Sequence, residues 1–259
     1  MVRSAQKTDE ICIEHFVSFL QALKHPGLQV SEWPEDTGLP NQIDAIARPY
    51  AIEHTSIDAL PNQRKLEVAF RAITGNLHEA TKGKLGFRLR IMLLGMAMEI
   101  GHDWSSHGQA IERWINIESR KLADGIHRDF HITGVPYSVC IVKGGPIRTD
   151  GVTFGRWFEA DPKFYMRIKG TIDKKLPKLA RHRTRNIKTV LLVGSDDIAI
   201  MSLDQFGLAF DQAYQVWPAE LDELWFAHHV ADQEINFCDM RTDQAWTFHV
   251  VNKSIETFP

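Results

Sequence analysis

Apolar residues recur at helical spacing through Cys12, Phe16, Phe19, Leu20 and Leu23, which predicts a first helix capped by Thr8 or Asp9 and stopped at Pro26-Gly27. A polar stretch with Pro34, Gly38 and Pro40 leads into a short strand over 42–47, broken by Arg48-Pro49, and a second strand over 50–57. A helix over 62–81 follows, with Leu66, Ala69, Phe70, Ile73 and Leu77 on its core side. Residues 85–94 read as a strand. A helix from Ser105 or Ser106 to about Leu122 stops at Gly125, and strands over 126–132 and 137–142 flank Gly134-Val135-Pro136. A short strand over 152–158 precedes Asp161-Pro162, a carboxylate cap followed by proline at a first helical position. The remaining pattern predicts a buried strand over 188–193, a helix over 204–214, a strand over 221–230 and one or two more in 234–251.

Helices and strands are interspersed without linker, repeat or low-complexity segment. The expected fold is therefore α/β, a central mixed β-sheet flanked by helices. A single domain over 1–259 with an insertion around 85–160 accommodates all the elements.

Composition changes this picture little. Hydrophobic content of 44% and charged content of 24% are ordinary for a folded chain. The longest apolar stretch, 91–98, is far shorter than the roughly twenty residues a membrane span needs, so no membrane partner is expected. The polar first ten residues resemble neither a secretory signal nor a lipidation site. The three cysteines, Cys12, Cys140 and Cys238, are far apart and form no C-x-x-C pair, which predicts a reducing, cytoplasmic location. Net charge is −3, but a basic run from Lys163 to Lys188 includes Lys174, Arg181, Arg183 and Arg185, side chains suited to phosphate contacts.

The chemistry-bearing segment is the hairpin around Arg48-Pro49. If the chain reverses symmetrically there, Ala47 faces Tyr50 and Asp44 faces Glu53. Like charges opposed across a sheet repel. A divalent cation removes that repulsion, because Mg²⁺ is held by one or two carboxylates with water and substrate phosphate. Thr55 shares the face of Glu53, while Ile52 and His54 point the other way. A pair that repels without its cation stabilises little, so its removal is expected to leave the fold intact.

An acid on one strand and Glu-x-(polar) on its neighbour resembles the PD-(D/E)xK, or restriction-endonuclease-like, nucleases. In that resemblance Asp44 matches the first aspartate, Glu53 the second acid, and Glu14 in the first helix the additional glutamate. The pattern departs at Thr55, where the family places lysine. Some branches resemble this sequence in carrying Glu-x-Thr and drawing a lysine or glutamine from another element. Lys175 and Lys178, three apart on the helix after Asp161, are the candidates, and Pro177 is expected to kink that helix between them. The resemblance implies Mg²⁺ or Mn²⁺ on Asp44 and Glu53, hydrolysis of phosphodiester bonds in nucleic acid, DNA before RNA, and a restriction-endonuclease-like fold. The missing lysine keeps a second reading open: a catalytically inactive nuclease-fold protein that binds nucleic acid or a protein partner. A third is a protein-interaction module with no nucleic-acid role.

Other constellations carry less. His127 and His131 have the spacing of a helical zinc pair, but on a strand they are expected on one face about 13 Å apart. Trp104, Trp114, Trp157 and Trp225 are expected to pack inside, Trp33 and Trp217 to sit in surface loops. No Gly-x-Ser-x-Gly or Gly-Lys-Ser/Thr motif is present, which removes the usual acyl-transfer and P-loop chemistries.

Overall fold

The computed structural model describes residues 8–37, 42–75, 77–95, 103–145, 150–158, 161–184, 186–195, 201–231, 234–250 and 254–257. The elements begin with α1 (Thr8–Leu23), a 3-10 turn (Pro34–Thr37), β1 (Ala45–Ala47) and β2 (Tyr50–Ser56). The middle of the chain forms α2 (Gln63–Thr74), α3 (Leu77–Thr81), β3 (Arg88–Leu94), α4 (Trp104–Ile117), β4 (Gly125–His131), β5 (Ser138–Gly144) and β6 (Gly151–Trp157). Then come α5 (Phe164–His182), β7 (Lys188–Ser195), α6 (Leu203–Ala213), β8 (Glu223–Ala231), β9 (Glu234–Asp239), β10 (Gln244–His249) and β11 (Ser254–Thr257).

These elements separate into two compact units, Met1–Ala59 with Asp161–Pro259, and Leu60–Ala160. The fold is mixed α/β, as the alternation of elements predicts, but with two sheets instead of one. The second unit opens at Leu60, so α2 belongs to it and the separate segment is longer than the 85–160 expected from sequence.

The first unit carries a seven-stranded sheet in the order β1-β2-β7-β8-β9-β10-β11. The central pairs β2–β7 and β7–β8 are parallel, and the others antiparallel. Parallel neighbours need crossovers, and α6 serves β7 to β8 while α5 leads into β7. Strand β7 is buried on both faces and reads as the continuous apolar run that such strands require. On one side, α1 lays Ile13, Phe16, Phe19 and Leu20 over Ile52, Leu192, Trp225 and Phe237. Phe19 stacks on Phe237 with ring centroids 4.7 Å apart. On the other side lie α5, with buried Ile168, Ile172 and Leu179, and α6, whose Phe206 stacks on Phe226.

In the second unit the sheet order is β4-β5-β3-β6. One face is packed: Leu89, Ile91, Leu93, Val139, Ile141 and Val152 meet Ile73 of α2 and Ile111, Trp114 and Ile115 of α4. Gly108 lets α4 close on α2, since a Cβ there would stand 2.6 Å from the Ile73 carbonyl. Buried Lys143 donates to the Ser119, Arg120 and Leu122 carbonyls, so an ammonium satisfies the acceptors that end a helical segment.

Several boundaries differ from expectation for local reasons. The helix over 62–81 is split, because Gly75 at φ +47 closes α2 and α3 restarts at Leu77. The cap of α4 is Asp103, which accepts from Ser106 N, rather than a serine. Helix α5 begins at Phe164; Asp161 instead accepts from Lys163 N and pairs with Arg167. Pro177 lies inside α5 without ending it. In β4 a bulge between His127 and Phe130 pairs His127 with Ile141 but His131 with Ser138. The two histidines therefore sit on opposite faces, not one. Trp114 and Trp225 are buried as expected, whereas Trp157 is 58% exposed. Among the described residues no helix is long and apolar enough to cross a membrane.

Candidate functional site

Strand β2 alternates Tyr50, Ile52 and His54 toward α1 with Ala51, Glu53 and Thr55 toward α5. Glu53 thus enters the layer beneath α5, where its residue exposure is 0%. An isolated carboxylate there would cost several kcal/mol. It is not isolated. Lys175 Nζ lies 2.6 Å and Lys178 Nζ 2.9 Å from Glu53 Oε1. Lys175 occupies a core position of α5, in step with Ile168, Ile172 and Leu179, and Lys178 follows one turn later on the same side. Glu53 Oε2 is buried with no hydrogen-bond partner among the described residues.

Asp44 stands just before β1, whose register sets Ala45 against Ile52 and Ala47 against Tyr50. The reversal is the symmetric one expected, and continuing it places Asp44 beside Glu53. Its Oδ2 accepts from His54 N at 2.6 Å. A third acid completes the cluster: Glu35, from the 3-10 turn, lies 3.2 Å from Lys178 Nζ and shares a carboxyl–carboxyl hydrogen bond with Asp44. Of the two carboxyls, Asp44 is the one pushed toward keeping its proton. Burial first, and then the Glu53 charge, push Asp44 up to about 7 despite the His54 amide. Burial works to raise Glu35 as well, but the Asp44 bond and the Lys178 ammonium hold it below the usual carboxylate range. Lys178 is raised: burial opposes its charge, but the bonds to Glu53 and Glu35 outweigh it.

The structure therefore gathers Asp44, Glu53, Lys175 and Lys178, and adds Glu35. Half-buried Thr55 follows Glu53 on the same face. Glu14 is not brought in: it is exposed on α1, which covers the opposite face of the sheet. The basic run is largely neutralised by neighbours. Arg183 bonds Asp222, Lys169 pairs with Asp173, Lys188 reaches Glu223, and exposed Arg181 also has a partner. Lys174 is exposed, and Arg185 lies outside the described residues. His54 faces α1 as expected. Its Nδ1 is 3.1 Å from Asp9 Oδ1, and although burial opposes the charge, Asp9 and Cys12 push the imidazole up to about 10.

The Asp44 proton has a measurable consequence. Its ordinary value is 3.8, so the folded chain binds this proton more tightly than the unfolded chain does. The contribution is fully present below about 4 and is lost as pH rises through about 7. Stability in EDTA is expected to decline over that window, and Asp44→Asn to flatten the decline and exceed the parent at pH of about 8. Urea midpoints at several pH values check this; an unchanged slope in the variant would refute the assignment.

Comparison with family models, curated proteins and solved structures gave no match to this chain.

Proposed function

We propose that the chain is a divalent-metal-dependent nuclease hydrolysing phosphodiester bonds in DNA, its site built on Asp44, Glu53, Lys175 and Lys178 in the manner of the PD-(D/E)xK enzymes. One observation carries the reading: a fully buried glutamate, with one oxygen bonded to two lysines from another element and the other oxygen unpartnered. A purely structural ion pair has no use for the second lysine or for the unpartnered oxygen.

The donor set fits Mg²⁺ or Mn²⁺. Asp44 and Glu53 offer hard carboxylate oxygens, and among the described residues their side chains bond lysines, a backbone amide and another carboxyl, not a thiol or an imidazole. Among the described residues no group of three His, Cys, Asp or Glu is arranged to hold a metal ion. The protein's share would thus be these two carboxylates, with water and phosphate oxygens completing the shell. Bound there, the ion supplies Lewis acidity toward phosphate and a water acidified toward neutrality.

The chain's own groups account for the rest. Once Asp44 has given up its proton, the three carboxylates of Glu35, Asp44 and Glu53 exceed the two ammonium charges by one. A divalent ion reverses that excess, and one phosphodiester cancels it, so the site is neutral with both aboard. A lysine amine released from Glu53 can meet the phosphate oxygens as charge builds on them. Thr55 can hold a water but cannot supply the charge.

The test is cleavage of plasmid and single-stranded DNA, and of RNA, with Mg²⁺, with Mn²⁺ and in EDTA. Cleavage with either ion, none in EDTA and none in Asp44→Asn is expected. A chain that cuts nothing under these conditions but binds nucleic acid would instead be the inactive nuclease-fold protein, a reading favoured by the two ammonium groups that already neutralise Glu53.

A further inference from the structure

Among the described residues, the second unit has a sheet face that its helices do not cover. Helices α2 and α4 pack on the side carrying Leu89, Ile91, Val139 and Ile141. The opposite side presents Arg88, Arg90 and Met92 of β3, Val142 of β5, Thr153 and Trp157 of β6, and Ile126 and His131 of β4. The register sets these in rows: Ile126, Val142, Arg90 and Thr153 in one, His131 and Ser138 in another, with Leu94 beside Trp157. Trp157 is 58% and Ile126 64% exposed, unusual for side chains that gain most from burial.

Among the described residues, charge on this face has one sign. Arg88 and Arg90 make no ion pair among the described residues, unlike Arg156 on the packed side, which bonds Glu67. No carboxylate projects from the paired rows; the nearest acid in these strands, Asp129, sits in the β4 bulge. Glycine keeps the surface level: a Cβ on Gly155 would run into the Met92 thioether, which lies across β6 with Arg90 beside it. The face therefore combines two unpaired guanidinium groups, an exposed indole and a flat apolar strip.

We propose that this face binds single-stranded nucleic acid, with Trp157 stacking a base and Arg88 and Arg90 engaging the backbone. Unpaired cations select a polyanion, and an exposed aromatic on a level sheet matches unstacked bases, which every sequence offers. A duplex hides its bases and would find only the two arginines. An acidic protein surface would use the arginines but not the indole. The inference stands on residues outside the proposed cleavage site and does not depend on catalysis.

The experiment measures anisotropy of labelled oligothymidine and of a duplex of equal length with the full chain in EDTA, where metal-dependent cutting cannot intervene. Preferential binding of the single strand, weakened about tenfold by Trp157→Ala and comparably by Arg88→Ser with Arg90→Ser, and reduced by salt, is the expected result. These side chains are exposed, so the variants should melt with the parent. Equal affinity for the duplex, or binding that neither variant changes, would overturn the proposal. So would absence of binding, including the case where sedimentation reveals self-association that Trp157→Ala abolishes. Cleavage failing while this binding holds would count against the nuclease reading alone.

Discussion

Replacing Glu53 by alanine is expected to abolish cleavage and, at the same time, to destabilise the first unit by about 3 kcal/mol. From the sequence, Glu53 reads as a ligand that repels Asp44 until a cation arrives, so its loss should be harmless to the fold. The structure reverses that stability expectation. Glu53 neutralises Lys175 and Lys178, whose side chains are only 24% and 17% exposed, and alanine leaves both ammonium groups without their carboxylate. Lys178 retains Glu35, which limits the cost. Glu53→Gln keeps the shape and one acceptor, so it should cost less stability while still eliminating cleavage. Urea melts in EDTA and a metal-dependent cleavage assay separate the two effects. An alanine variant as stable as the parent would mean that the ion pairs contribute nothing, and residual cutting would remove Glu53 from the mechanism.

What the sequence makes legible follows from how local the determining physics is. The opposition of Asp44 and Glu53 is set by a tight reversal, so counting outward from Arg48-Pro49 recovers it. Lys175 and Lys178 fall together because helical period is a property of α5 alone, and Pro177 does not interrupt it. Glu35 was invisible for the converse reason. It lies in an aperiodic segment, and only the folded path of the 3-10 turn carries it to Asp44 and Lys178. Glu14 shows the risk of carrying a residue over by pattern: helical spacing identifies α1 but not which sheet face it covers.

The division into two units was hidden as well. Strands of both sheets share the same alternation, and which strand pairs with which is decided by long-range packing. The boundary at Leu60 carries no linker composition that would mark it in the sequence. A single inserted residue in β4 moved His131 to the other face, a change no period can predict. Residue type alone places Trp157 in the interior, and that default fails on the face without helices.

The two lysines should not be equivalent. Both sit on Glu53 Oε1, but only Lys178 has a second anchor, Glu35 at 3.2 Å. When a cation occupies Glu53, Lys178 can remain with Glu35, while Lys175 loses its acceptor and becomes the amine available to a phosphate. Lys175→Met is therefore expected to lower kcat by about a hundredfold, the scale of losing one donor to developing charge. Lys178→Met should act more weakly and mainly on KM. Stability should follow a different rule: either single change leaves Glu53 one ammonium partner and costs about 1 kcal/mol, whereas the double change strands a buried carboxylate and costs about 4 kcal/mol. That excess over the two singles is a coupling readable from a double-mutant cycle in EDTA, independent of any activity. Additive stability losses would show that the lysines do not share Glu53. Equal kinetic losses with unchanged KM in both single variants would remove Glu35 as the feature that distinguishes them.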